Sequence, residues 1–155
     1  MKPGIYDLIC AQLKELLVEE PWYVSALSNA SALLMDALPD LNWAGFYLMK
    51  DGQLAVGPFQ GKPACIHIAV GKGVCGTAAD RNETILVKDV HTFPGHIACD
   101  SASNSEIVIP VHERKSTAIT AVLDIDSPVP DRFTIEDRDG LERFAAILEE
   151  GVRWQ

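Results

Sequence analysis

The chain has 155 residues, 48% of them hydrophobic and 23% charged, and a formal net charge of −9. That length suits one domain with a proper core, and the acidity excludes nucleic acid or an anionic membrane surface as the main partner. No apolar run approaches a bilayer span, and the acidic, amphipathic first segment fits neither a signal nor a transit peptide, so a cytoplasmic protein is expected.

Ile5, Leu8, Ile9, Leu13, Leu16 and Leu17 recur at helical spacing, and Pro21 breaks the pattern. A second helix carries Val24, Leu27, Ser31, Leu34 and Leu38 on one stripe and ends at Pro39. The period then changes from helix to strand. In "NWAGFYLMKDGQLAVGPF" an Asp-Gly pair separates two apolar runs, a strong hairpin signal. Further strands are predicted in "ACIHIAV", "TILVKDV", "EIVIPVH" and "TAITAVLDID", with a short helix in "GVCGTAADR". A last helix opens at Thr134 and places Leu141, Phe144, Ala145 and Leu148 on one face. Two helices, a run of mostly hairpin-linked strands and a final helix predict an α+β fold. Its antiparallel sheet would carry helices on one face and irregular loops near the other. No repeat, linker or composition shift divides the chain, so residues 1–155 are read as a single domain.

Strand parity selects candidate site residues, because successive side chains point to opposite faces. In "TAITAVLDID", Ile119, Ala121, Leu123 and Ile125 share one face, which leaves Asp124 and Asp126 on the other. In "EIVIPVH", Ile107, Ile109 and Val111 form the apolar row and Glu106 opposes it. Pairing these strands about a turn in "HERKST" sets Glu106 across from residue 122 or 124, so three carboxylates converge on the non-core face. In "NWAGFYL", Trp43 and Tyr47 stand on that same side, with Gly45 leaving space between them. This pattern fits a pocket, and it also fits a solvated face beside two peripheral core aromatics.

Four cysteines occur, at 10, 65, 75 and 99. In a reducing compartment a pairing among them would be transient, catalytic or redox-sensing. Without a CxxC, and with His91, His96 and Cys99 at no standard finger spacing, no metal site is expected. Cys75, in "GKGVCGTAA", lies near a predicted helix N-terminus, where the dipole would lower a thiol pKa or backbone N–H groups could hold an anion. That segment lacks the GxxxxGK[ST] spacing of a nucleotide-binding P-loop. Cys65 equally fits a small buried hydrophobe, and Cys10 lies within the first helix. Cys99 differs from these: in "FPGHIACDSASNSEIVIP" it has polar, turn-forming neighbours on its C-terminal side, in a loop that leads directly to Glu106 and its strand.

Five motifs in order, "NWAGFYL", "GPFQGKPAC", "GKGVCGTAA", "DVHTFPGHIACDSASNSEIVIP" and "LDIDSP", closely resemble the free methionine-(R)-sulfoxide reductase family of GAF-domain proteins. The resemblance runs from about Asn42 to Phe133. It implies a GAF fold, with helices on one face of an antiparallel sheet and a loop-covered ligand pocket on the other. It also implies reduction of free methionine-(R)-sulfoxide to methionine without a resident cofactor. By resemblance, Cys99 attacks the sulfoxide and becomes a sulfenic acid, Cys65 resolves it to a disulfide with Cys75 as an alternative partner, and thioredoxin reduces the product. Trp43 and Tyr47 would hold the S-methyl group, while Glu106, Asp124 and Asp126 would meet the α-ammonium or supply a proton. A homodimer is expected as well. The rival from another class is a non-catalytic GAF sensor, in which the same pocket binds a small ligand and the cysteines report redox state.

Overall fold

A computed structural model describes residues 4–96 and 101–154. Helices α1 (Ile5–Glu19) and α2 (Tyr23–Ala37) precede strands β1 (Trp43–Lys50), β2 (Gln53–Gly61) and β3 (His67–Ile68). Helix α3 (Gly73–Arg81) follows, then β4 (Ile85–Val87), β5 (Ser105–His112), β6 (Ile119–Ser127) and α4 (Ile135–Gly151). The strands form a six-stranded sheet in the order β3-β2-β1-β6-β5-β4, and every neighbouring pair is antiparallel. No helix among the described residues is long and apolar enough to cross a membrane.

Local chemistry explains the element boundaries. Asp51 and Gly52 both take positive φ, 53° and 81°, as a two-residue primed turn between β1 and β2 requires. Thr134 caps α4: its hydroxyl accepts from the Asp137 N–H, while the Asp137 carboxylate accepts from the Thr134 N–H at 2.8 Å. Asp137 also receives the buried Tyr6 hydroxyl at 2.6 Å, which pins α1 to the start of α4. Gly140 of α4 faces the Tyr6 ring so closely that any Cβ there would overlap it.

The main core lies between one face of the sheet and α1, α2 and α4. Ile9, Leu13, Leu27, Leu34, Phe144 and Leu148 meet Ala44, Phe46, Ile107, Ile109, Leu123 and Ile125 there. Burying each large side chain contributes about 1.5–3 kcal/mol. Not every apolar position of the predicted stripes is buried: Ile5, Leu8 and Val24 stay exposed at the margins. On the opposite face, Val74, Ala78 and Ala79 of α3 pack on Trp43, Tyr47, Val108 and Val122. The second face is thus covered by a helix as well as by loops.

Two strands are shorter than predicted, since β3 keeps two residues and β4 three, the latter followed by a single 3-10 turn at Val90–Thr92. The β5–β6 register also differs from the expectation. Glu106 pairs with Asp126, and Val108 pairs with Asp124. The hairpin closes through the Glu113 N–H on the Ala118 carbonyl, and an irregularity at Val111/His112 adds a residue on β6. Together these shift the partner of Glu106 beyond the turn-centred estimate while preserving the face.

Candidate active site

The sheet's parity fixes which side chains meet. On β6, Asp124 and Asp126 alternate with Leu123 and Ile125, so the aliphatics enter the core and the carboxylates stand on the α3 face. Neighbouring strands then complete the cluster. Asp126 lies between Trp43 of β1 and Glu106 of β5, directly paired with both. Asp124 pairs with Gly45 and Val108, which makes it the diagonal neighbour of Glu106. All three carboxylates are buried, with exposures of 7% for Glu106, 5% for Asp124 and 9% for Asp126.

These acids, with Trp43, Tyr47 and Cys75, line a single cavity of about 40 Å³, a few water molecules' worth of space. Trp43 and Tyr47 stack at 5.8 Å between ring centroids, and Phe59 of β2 also stacks on Trp43, at 4.9 Å. Gly45 does not leave open space between the aromatics as the sequence suggested. Phe59 occupies that space, and a Cβ at Gly45 would overlap it. The indole N–H of Trp43 donates to the Lys62 carbonyl at 3.1 Å, next to Pro63 and Ala64, which also line the cavity.

Burial dominates the electrostatics. The Glu106 carboxyl is pushed well above the usual range, first by desolvation and then by the charges of Asp124 and Asp126, to both of which it is hydrogen-bonded. Asp124 is raised less, because bonds from Glu106, Asp126 and Cys75 oppose the burial penalty. The cluster therefore retains a proton where isolated carboxyls would have lost theirs, and Glu106 is its preferred holder. Burial, reinforced by the neighbouring acids, also drives the Cys75 thiol well upward. The helix-terminus effect expected to activate this thiol is outweighed. His96 at the rim is lowered, chiefly by burial.

The cysteines separate clearly. Cys10 and Cys75 are buried free thiols, Cys10 within the main core, whereas Cys65 is disulfide-bonded. Cys99, the expected nucleophile, falls outside the described residues. Cys75 Sγ and carboxylate oxygens of Glu106 and Asp124 lie within 4.8 Å of one another, a donor set that could hold a metal ion.

Lys72, His96 and Ser103 were not singled out as pocket residues by sequence, yet they line the cavity. Lys72 is the N-cap residue of α3 and brings the cavity's only fixed positive charge among the described lining residues. Its position in "GKGVCG", just before a helix start, was the available signal. Ser103 is fixed by Asn42, whose Nδ2 donates to its hydroxyl at 3.0 Å.

A helix-backed antiparallel sheet with a cavity on its other face, roofed by a short helix, is the arrangement of a GAF domain, and the GAF domain family model matches residues 26–152. The similarity sharpens beyond that class. The chain is 55% identical to "Free methionine-R-sulfoxide reductase" of Escherichia coli K12 over 96% of its own length and 88% of that relative's. It superposes with a TM-score of 0.90 on fRMsr of Staphylococcus aureus in complex with substrate, at 47% identity and 99% coverage of both chains. A putative GAF sensor protein from Burkholderia vietnamiensis is similar too, with a TM-score of 0.92, 49% identity and coverage of 96% of this chain and 93% of that one. The chain belongs to the GAF-domain family of free methionine-R-sulfoxide reductases.

Proposed function

We propose that this protein reduces free methionine-(R)-sulfoxide to methionine by thiol chemistry. Sulfoxide sulfur becomes electrophilic when its oxygen is protonated or strongly hydrogen-bonded, so the site needs a thiolate and an acid together. In this reading the Cys99 thiolate attacks the sulfur, the sulfoxide oxygen takes a proton from the carboxyl cluster, and methionine leaves as Cys99 becomes a sulfenic acid. The Cys65 thiol then attacks that sulfenic sulfur, forming a disulfide and releasing water. A dithiol protein of the thioredoxin kind returns both thiols at the expense of its own oxidation. The reducing equivalents come from outside, so the reaction needs no resident metal or cofactor.

One observation supports the reading above the others. Cys65 is disulfide-bonded, and the residues just before it, Pro63 and Ala64, wall the cavity that holds Glu106, Asp124 and Asp126. A redox-active cysteine and a proton-holding acid cluster are therefore adjacent. The free thiol of Cys75 makes Cys65 the favoured resolving residue.

The carboxylates supply the selectivity. An ionised acid beside an α-ammonium, with Glu106 keeping the proton, suits the zwitterionic free amino acid. A peptide-bound residue lacks that ammonium and would leave a buried charge unpaired, at about 1–3 kcal/mol or more. Trp43 and Tyr47 offer the apolar wall for the S-methyl group. The whole chain is read as one GAF domain, acting as a homodimer in the cytoplasm, where thiol reductants are abundant.

The test is methionine release from free methionine-(R)-sulfoxide, its S epimer and a peptide-bound R form, with dithiothreitol as reductant. Turnover of the free R form alone, abolished in Cys99→Ser, is expected. Turnover of none would favour the sensor reading, which the similarity to a putative GAF sensor keeps in view.

A further inference from the structure

We propose that the open edge of β3, with Ile66 and His67 beside the Cys65 disulfide, is the docking surface for the reductant, an acidic dithiol protein that lays an extended segment along it. The inference rests on the reductase reading and adds to it the place where the electrons enter.

Strand β3 is a margin of the sheet and pairs with β2 on one side only. The Val56 N–H donates to the Ile66 carbonyl at 2.9 Å, Ala55 pairs with His67, and Leu54 pairs with Ile68. Residues of an antiparallel ladder direct their backbone groups toward and away from the partner strand in alternation. The backbone groups of Ile66 and Ile68 therefore face β2, and the His67 N–H and carbonyl point outward from an exposed position. An outward pair of this kind can accept a further strand. Cys65, two residues before His67, is half-buried and disulfide-bonded. Between them stands Ile66, 65% exposed, and Val70 just beyond the strand is 38% exposed. Single exposed aliphatics are ordinary on a protein surface. This one adjoins both an open strand edge and the bond that must be reduced.

Charge selects the partner. From Gly52 to Ala79 the chain has no Asp or Glu and carries Lys62 and Lys72, although its net charge is −9. Both lysines are exposed. An acidic protein is attracted to this stretch and repelled by the chain's net charge elsewhere, which orients its approach. Attack of the partner's thiolate on Cys65 Sγ forms a mixed disulfide and releases the other cysteine as a thiolate, which takes a proton. The partner's second thiol then attacks its own sulfur in the mixed disulfide. That step frees Cys65 as a thiol and leaves the partner oxidised by two electrons, with a disulfide of its own. A small dithiol performs the same exchange without docking, so the surface matters only to a protein reductant.

The experiment measures turnover of free methionine-(R)-sulfoxide with thioredoxin, recycled by its NADPH-dependent reductase, and separately with dithiothreitol. Ile66→Asp should raise the KM for thioredoxin about tenfold, as loss of an interface anchor does, and leave turnover with dithiothreitol unchanged. His67→Pro, a change that a strand edge tolerates, removes the outward N–H and should raise the same KM, again without loss of dithiothreitol turnover. Val129→Asp, at a position 42% exposed outside this stretch, should change neither. Rising salt should lower kcat/KM for thioredoxin. A thioredoxin KM unmoved in Ile66→Asp, or moved equally in Val129→Asp, overturns the proposal. Equal losses with both reductants also overturn it, because a disturbed active site predicts them. A rate indifferent to salt overturns the choice of an acidic partner. A native protein inactive with dithiothreitol fails the reductase reading, whereas full activity with dithiothreitol and none with thioredoxin fails this inference alone.

Discussion

Trp43 donates its indole N–H to the carbonyl of Lys62 at 3.1 Å, joining the aromatic wall of the cavity to the segment that leads into Cys65. The ring is stacked with both Tyr47 and Phe59, so it acts as a rigid strut rather than a mobile side chain. Trp43→Phe keeps an aromatic ring and removes the donor. Urea unfolding should show a loss of about 1 kcal/mol, the value of one such bond. Rapid-quench thiol counting should show slower disulfide formation after an unchanged first methionine release. Equal slowing of both steps would mean that the ring serves the substrate alone.

Glu106 makes stability depend on pH in a direction opposite to that of a salt-bridged acid. Its folded value lies well above the ordinary 4.5, so the folded chain binds a proton that the unfolded chain has released. Stability is then fully present below about pH 4.5 and falls as pH rises through the folded value, by up to about 1.4 kcal/mol per pH unit for one proton. Glu106→Gln should flatten that descent and stabilise the protein at neutral pH. It should also lower kcat about a hundredfold, the range of a lost general acid. Denaturant titrations across pH 4 to 8, paired with turnover assays, check both.

Gly45 has become obligatory for a reason other than backbone freedom. Phe59 crosses from β2 into the volume a side chain would occupy. Gly45→Ala should cost about 1–3 kcal/mol by overpacking and should loosen the Trp43–Phe59 stack. A raised KM with little change in kcat is the expected signature in steady-state assays.

Tyr6 tests the independence of the two faces. Its hydroxyl is buried against Asp137 on the helical side of the sheet, far in the topology from the carboxyl cluster. Tyr6→Phe should lower stability by about 1–2 kcal/mol in urea melts, since Asp137 loses one donor but keeps Thr134 and Arg132. Its kcat/KM should match the native value.

Strand periodicity made the acid face legible. A period of two needs no knowledge of distant residues, so Glu106, Asp124 and Asp126 could be assigned to one side from their aliphatic neighbours alone. Their pairing could not, because a bulge at Val111/His112 shifts the register without marking the sequence. The space beside Gly45 was misjudged for a similar reason: Phe59 arrives from another strand, and local reading sees only an absent side chain. Thr134 and the Asp-Gly turn were readable because capping and turn chemistry act over two or three residues. Which thiol remains free was not, since that depends on how α3 and the segment before Cys65 approach the sheet in space.

The position of β6 in the sheet carries one more consequence. It runs between β1 and β5, with hydrogen-bonded partners on both sides along nearly its whole length. Backbone amides in such a strand exchange with solvent only when the whole domain opens, whereas β3 and β4, at the two margins, are short enough to fray. The carboxyl groups of β6 are thus mounted on the most durable part of the molecule and are held in place before any ligand arrives. Association then carries little of the entropic cost of ordering the charged floor, and rearrangement during turnover is left to the margins.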